Sequence, residues 1–441
     1  MANDKDFVVN GPVAVGKDTK VTVGTIASGA VDLSTGNYFT DSPSGDYTYT
    51  FTNPGAVQSF QIEATGGSAA VASIFNTTIY DGNGVVGRTF NNGIDLAGDG
   101  GMVWFAQRNT NRDNTLFDTV RGTGKYVRSN TNDIEATSPT MLTAFNSNGF
   151  TVANGGTVNN GSGTYVSWSF KEQTKFFDVV TYTGTSTDQT QYQDISHNLG
   201  TAPGVVMIKR LNSAENWAVW HRSSPSNMLQ LNVNDSEGGA GGRFTSSGVA
   251  SMTSTTFRVY GDNQTGTSGG TYVAYLFAHD TASDGLIQCG SYTGTASSVS
   301  INLGWQPQWL LIKRSDSAED WSIVDNVRGM GTDPLLTGLK AITANETSAE
   351  EVPAYSPIVP SSTGFTAHTG YDARYCANGG TYIYMAIRSA AAPAITWPSS
   401  IKWTQGSTPK SPAEGETDVY TFTTDDGGTT YTGIQSIDNA S

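Results

Sequence analysis

Thr271-Tyr272-Val273-Ala274-Tyr275 decides how this sequence is read, because it recurs on either side in altered form. Upstream stands Thr164-Tyr165-Val166-Ser167-Trp168, and downstream Thr381-Tyr382-Ile383-Tyr384-Met385. Each run is β-branched and aromatic, and each is entered through a Gly-rich turn: Asn160-Gly161-Ser162-Gly163, Ser268-Gly269-Gly270 and Asn378-Gly379-Gly380. A turn followed by such a run is a strand signal. Three copies about a hundred residues apart indicate one domain written three times.

The surrounding phrases repeat in the same order. Each unit opens with Tyr in a Gly-rich phrase: Tyr80-Asp81-Gly82, Tyr182-Thr183-Gly184, Tyr292-Thr293-Gly294. An Ile…Gly phrase comes next, Ile94 to Gly98, Ile195 to Gly200 and Ile301 to Gly304. An apolar strand then ends on a base, at Arg108, Arg210 and Arg314. A Phe strand starts at Phe150, Phe257 and Phe365. Unit 1 runs from 72 to 171, unit 2 from 176 to 278 and unit 3 from 285 to 388. The period is too long for a solenoid repeat and suits a β-sandwich of about 100 residues. Unit 3 shares Asp316-Ser317-Ala318-Glu319-Asp320-Trp321 with unit 2 (Asn212 to Trp217), and Asp325 to Gly329 with unit 1 (Asp118 to Gly122).

Composition agrees with an all-β class. Charged residues are 14% of 441, while Gly accounts for 51. Thr, Tyr, Val and Trp suit a pleated surface and Gly supplies tight turns. No apolar repeat at helical spacing is sustained, Ser348 to Val352 being too short to count. The expected architecture is tandem antiparallel β-sandwich, jelly-roll-like modules. Before the repeats, Lys20 to Val23, Asp46 to Thr52 and Val57 to Ala64 read as strands, and Phe60, Ile62 and Ala64 alternate with polar residues. Residues 1–20 read as an N-terminal arm that orders only against a neighbour. In the tail, Asp418 to Phe422 reads as a strand and Asp425 to Gly428 as its hairpin turn.

The net charge of −15 argues against a nucleic-acid partner, which needs Lys and Arg for its phosphates, and against docking on an anionic membrane. Cys289 and Cys376 make no disulfide framework. No apolar run has the length of a membrane span, and the first residues lack the features of a signal peptide. Synthesis in a reducing cytoplasm is expected.

Asp32 to Phe39 with Tyr49 to Pro54 resembles the opening of small β modules in virion proteins of marine and cyanobacterial phages. Ile395-Thr396-Trp397-Pro398, Ile401 to Trp403, Asp418 to Phe422 and Asp426 to Tyr431 resemble the closing half of that module. The resemblance implies that residues 21–70 and 393–434 fold together around the three inserted repeats. The repeats are similar to a second phage module, through His197 to Pro203 leading into Val206 to Arg210 and then a Trp. Unit 3 keeps Asn302 to Gly304, Pro307 and Ile312 to Arg314 without the His, and unit 1 departs further. Together these likenesses imply a virion structural protein of the tail-fibre or capsid-decoration type, with no catalytic residues and no cofactor. They also imply a homo-oligomer, a trimer by family habit, among other virion proteins. An extended string of modules projecting as an arm is expected.

Motifs with chemical meaning weigh little against this. Gly266 to Gly270 fits the nucleophile-elbow pattern, but a strand comes after it where a helix is needed. Gly82 to Gly87 fits a dinucleotide fingerprint without opening a helix. His197, His221, His279 and His368 have no metal spacing, although His197 is placed to hydrogen-bond its loop. Glu319-Asp320 and Glu350-Glu351 are sequence neighbours, which do not face each other across a sugar. Asp95, Asp99, Asp178, Asp262 and Asp284 lack the ligand alternation of a calcium loop. No metal is expected. The tryptophans beside polar loops, Trp217, Trp220 and Trp321, are the expected contact residues, stacking on sugar rings or on another subunit. The function expected first is a tail-fibre or receptor-binding appendage touching host-surface polysaccharide. A capsid cement protein bridging capsomers is second, and a polysaccharide depolymerase is disfavoured.

Overall fold

The computed structural model describes residues 23–24, 26–27, 30–41, 47–65, 70–282, 285–335, 337–389, 395–404, 406, 408–409 and 417–437. The arm expected at 1–20, Lys20 to Thr22, Asp46 and Asp284 lie outside them. The fold is all-β. Among the described residues the sole helical piece is a short turn at Ala70–Ser73, and 348–352 is not helical. The chain divides into two compact units, one from residues 1–69 with 391–441 and the other from 70–390.

In the first unit the two chain ends build one sheet. Gln58–Thr65 pairs antiparallel with Thr417–Thr424, setting Phe60 opposite Phe422 and Ile62 opposite Tyr420. Phe60, Ile62 and Ala64 point inward, as their alternation requires, onto a core with Phe39, Trp397 and Tyr431. The rings of Phe60 and Phe422 stack with centroids 5.1 Å apart. Gln61 and Thr421, 360 residues apart in sequence, share a side-chain hydrogen bond of 3.1 Å. Not every pair in this unit is antiparallel: Tyr38–Asp41 lies parallel to Gln58–Thr65, and Ile401–Trp403 parallel to Tyr431–Ile437. The reason is connectivity. Between Tyr38–Asp41 and Gln58–Thr65 the chain spends Thr50–Thr52 in another sheet, so it returns by a crossover instead of a hairpin. The turn after Thr424 is closed by Gly427 and Gly428 at φ 69 and 84. Asp426 accepts from Thr424 Oγ1 and from Thr430 N and Oγ1, and the Thr430 bonds above all hold its carboxyl down to about 2.

The second unit holds the three repeats. In each, four adjacent strands of the main sheet follow one order. They are Phe75–Asp81, Thr164–Lys171, Gly101–Gln107 and Thr115–Asp118 in the first repeat. The second has Phe177–Thr183, Thr271–Phe277, Val205–Arg210 and Ala218–His221. The third has Ile287–Thr293, Thr381–Arg388, Pro307–Arg314 and Ser322–Asp325. A smaller antiparallel sheet accompanies each, built on Arg88–Asn91 with Gly149–Val152, Tyr192–Ser196 with Thr256–Tyr260, and Val299–Asn302 with Gly364–Ala367.

Tyr165, Tyr272 and Tyr382 stand in matching surroundings. Each stacks on the Tyr across the strand pair, at 5.3, 5.1 and 4.8 Å for Tyr80, Tyr182 and Tyr292. Each hydroxyl donates to the carbonyl nine residues back, at Gly156, Asn263 and Ala373, and accepts from the amide five residues back. The partner tyrosine donates to the same loop, at Val158, Thr265 and Tyr375. Two phenols thus clamp one Gly-rich loop in every repeat. Tyr272→Phe is expected to destabilise the unit by about 1–3 kcal/mol, since a loop amide and a carbonyl both lose their partner. Urea unfolding of wild type and variant measures this.

Two alignments drawn from the sequence shift. Strand register sets Gln107, Arg210 and Arg314 opposite Tyr165, Tyr272 and Tyr382. Arg108 therefore matches Leu211 and Ser315, and its amide bonds Thr164 O as theirs bond Thr271 O and Thr381 O. The strand partner of Phe150 is Phe90, so Phe90 and not Ile94 takes the place of Ile195 and Ile301. A one-residue slip in a strand exchanges its faces, which is why Arg108 leaves its own repeat while Arg210 lies 6.0 Å from the Tyr272 ring.

Candidate functional site

The repeats do not form a string. The third packs back onto the first, and the contacts between neighbours recur in one direction around a closed ring. Glu135 N donates to Leu211 O, Glu237 N to Ser315 O, and Glu350 N to Arg108 O, at 2.9, 2.7 and 2.8 Å. These donors occupy matching places, and so do the acceptors. The bonds join repeat 1 to 2, 2 to 3 and 3 to 1.

Trp217 and Trp321 lie inside these seams. Trp217 is 0% and Trp321 2% exposed, and Trp220 is 4% exposed. The indole Nε1 of Trp217 donates to Arg128 O of repeat 1 at 2.9 Å, and that of Trp321 to Gln230 O of repeat 2 at 3.0 Å. Asn114 stands in the matching place in repeat 1 and donates to Thr343 O of repeat 3 at 3.0 Å. Trp220 bonds Pro225 O within its own repeat. The expectation of sugar or subunit stacking on these three tryptophans is therefore corrected: buried rings have no face to offer, and two of them fasten repeats within one chain.

The backbone entering each seam is braced identically. Asn130, Asn232 and Asn345 accept from the amides of Asn114, Trp217 and Trp321 and donate to Asp113, Asn216 and Asp320. This asparagine, with the glutamate five places on, was the sequence signal to find. Asn130 to Glu135 and Asn232 to Glu237 also share a central Asn-Asp, but Asn345 to Glu350 keeps only the two ends, and all three look like loops.

Deeper in the seams the chemistry differs by repeat. Asp118 accepts from the Tyr275 hydroxyl at 2.8 Å, His221 Nε2 meets Tyr384 O at 3.1 Å, and Asp325 accepts from Trp168 Nε1 at 3.0 Å. Lys209 and Lys313 send buried ammonium groups to backbone carbonyls, including Asn132 O and Asn234 O of the preceding repeat. Burial lowers both to about 8. Around the ring axis, aromatic rings of all three repeats meet: Phe170 lies 5.6 Å from Phe277 and 5.8 Å from Trp309.

Burial lowers His221 to about 4, and Arg222 and His279 push the same way. Its folded pKa lies below that of the unfolded chain, so its contribution is intact above pH 6.5 and fades as pH falls towards 4. The expected loss between pH 7 and 4.5 is on the order of 3 kcal/mol. Denaturant midpoints at both pH values for wild type and His221→Gln check it. If the two proteins lose stability in parallel, His221 is not the source.

The other residues of chemical interest stand apart. Ser268 lies in a clamped loop that leads into the strand Thr271–Phe277, so Gly266 to Gly270 is no elbow. Glu350 faces Arg108 and Arg328, whereas the adjacent Glu351 faces Arg374. His197 Nδ1 accepts from Leu199 N in its loop at 3.2 Å. Buried Cys289 and Cys376 have thiols pushed up by burial. A carboxylate pair without any spacing signal joins Glu172 to Asp178, and burial with that neighbour raises Glu172. Asp178 is buried and accepts from Asn198 N, while Glu172 is half-buried. Among the described residues no three or more His, Cys, Asp or Glu gather as metal ligands, and no helix is long and apolar enough to cross a membrane.

The ring has two unlike poles. Phe75 pairs with Phe170, Phe177 with Phe277 and Ile287 with Ile387, so the connection 172–176 and the strand ends at Phe277 and Ile287 share a pole with the unit's own first and last strand ends. At the other ends of those strands, about 20 Å away at ~3.4 Å per residue, stand the three tyrosine-clamped loops, 156–163, 263–270 and 373–380.

Residues 70–391, the span of the three repeats, match the family described as Domain of unknown function (DUF7483). No curated protein matches the chain. The match covers most of the chain and the whole closed ring, and the protein belongs to the DUF7483 family.

Proposed function

We propose that the chain is a non-enzymatic structural protein of a phage particle, placed in a tail fibre or receptor-binding appendage where its three-repeat unit contacts host-surface glycans. The observation that carries this reading is the closed ring with its chain connections at one pole and three clamped loops at the other. Such a ring is a rigid head whose loop pole presents three matching loop sets. Valency of three then comes from one chain, and grouping of weak contacts does not depend on self-association. The resemblance of the terminal segments to phage modules supports a virion setting, with the first unit as the attachment.

Capsid decoration is the second reading, favoured by the ring's approximate threefold symmetry, which suits a local threefold axis of a shell. Immunogold labelling of particles separates the two. Label at the tail tip, with binding of purified protein to host cells, supports the appendage. Label over the head, with a raised melting temperature of empty heads, supports decoration. Absence of label from particles overturns both.

A further inference from the structure

In the third repeat the stretch from Asp325 to Asn345 is longer than its counterparts, Asp118 to Asn130 and His221 to Asn232. The added residues carry Pro334 and Leu335. Ser356 N donates to Pro334 O at 3.3 Å, which brings this loop against the one bearing Val352 and Tyr355. Leu335 is 66%, Val352 57% and Tyr355 47% exposed. The Tyr355 ring meets that of Tyr371, on a third loop, with centroids 4.9 Å apart.

These loops are fixed by charge. Arg374 Nη2 lies 2.7 Å from Glu351 Oε2 and 2.7 Å from Asp372 Oδ2, tying the loop that carries Tyr355 to the loop that carries Tyr371. Glu351 is also paired through its backbone with Ala341, at 2.9 and 3.0 Å. The aromatic pair is therefore in place before any ligand arrives, which spares the ordering entropy of binding. Exposed apolar groups held this firmly mark a contact site.

We propose that Tyr355 and Tyr371 form a carbohydrate site for a neutral hexose unit of a surface glycan, an assignment that rests on the glycan contact proposed above and adds, in the third repeat alone, a site beside the loop sets common to all three. A pyranose has an apolar face to lay on a tyrosine ring and hydroxyls to donate to carboxylates, and Glu351 and Asp372 stand on the same two loops as the rings. The charge of −15 disfavours an anionic sugar. Size disfavours a protein partner. Four partly exposed side chains, each offering on the order of 100 Å², fall short of the ~800 Å² that a stable partner covers.

The test is native electrophoresis of the full chain through gels containing dextran, mannan, galactomannan or laminarin, with alginate as the anionic comparison. Retardation in at least one neutral gel is expected, with apparent affinity reduced at least tenfold in Tyr355→Ala and in Tyr371→Ala. Tyr192→Ala, at an exposed tyrosine of the second repeat, should leave it unchanged. Both site residues lie on the surface, and thermal melting identifies a variant that has lost its fold, in which case the other variant decides. Migration unretarded in all four neutral gels, retardation in alginate alone, or equal retardation of wild type and both variants overturns the site. Host-cell binding that survives both substitutions refutes this site while leaving the appendage reading standing. Absence of the protein from particles removes that reading alone.

Discussion

Asp325→Asn is expected to cost the three-repeat unit about 3–5 kcal/mol. Asp325 and Arg328 have side chains with 0% exposure, and the carboxylate accepts from Arg328 Nε at 2.6 Å and from Trp168 Nε1 of the first repeat. Arg328 continues to Ile323 O at 3.0 Å and to Glu350 at 3.3 Å, and Glu350 takes a bidentate pair from Arg108 at 3.0 and 2.8 Å. This network closes the ring at the one seam that no direct chain connection spans. An amide at 325 keeps the shape but leaves a buried guanidinium with Glu350 as its remaining counter-charge. Removing one member of a buried pair costs far more than replacing both, because the survivor retains its desolvation penalty. The second repeat has neutral groups at the two matching positions, His221 and Ser224, the latter donating to Glu237 at 2.6 Å. Asp325→Leu with Arg328→Met is accordingly expected to recover most of the loss. Urea unfolding of the two proteins beside wild type decides, and a single-variant cost below about 1 kcal/mol would sink the account of this seam.

The sequence carried the repeat well and the ring poorly, for physical reasons. Turn-then-strand grammar is local, so Tyr165, Tyr272 and Tyr382 were legible from their neighbours alone. Register was less so, because Arg108 and Arg210 look alike as strand-ending bases, and only pairing shows that Gln107 matches Arg210. Closure was not legible at all. Arg108 and Glu350 meet across 242 residues, and neither belongs to a phrase that both other repeats spell alike. The tryptophans misled because Trp217 and Trp321 sit beside polar loops in sequence. Those loops belong to seams, where a polar backbone is satisfied by the neighbouring repeat instead of by water. Tyr355 and Tyr371 carry no repeat signal, because one repeat alone has them in this arrangement.

Trp321→Ala is expected to destabilise the unit by about 3–5 kcal/mol, the cost of a large buried ring and the cavity it leaves. Trp321→Phe should cost less, about 1–3 kcal/mol, chiefly from Gln230 O losing its indole donor. The difference separates the two jobs of this side chain, filling the seam and joining it. The matching place in the first repeat offers support: Asn114 fills less space yet bonds three carbonyls of the third repeat, those of Thr343, Ala344 and Glu346. Hydrogen bonding across the seam is thus preserved where the ring is not. Trp321→Phe also bears on the proposed glycan contact. A side chain 2% exposed cannot touch a sugar in the folded state, so the variant should migrate like wild type in every polysaccharide gel while melting earlier. Loss of retardation without loss of stability would instead return Trp321 to the role of sugar platform, and would require the seam to open in solution.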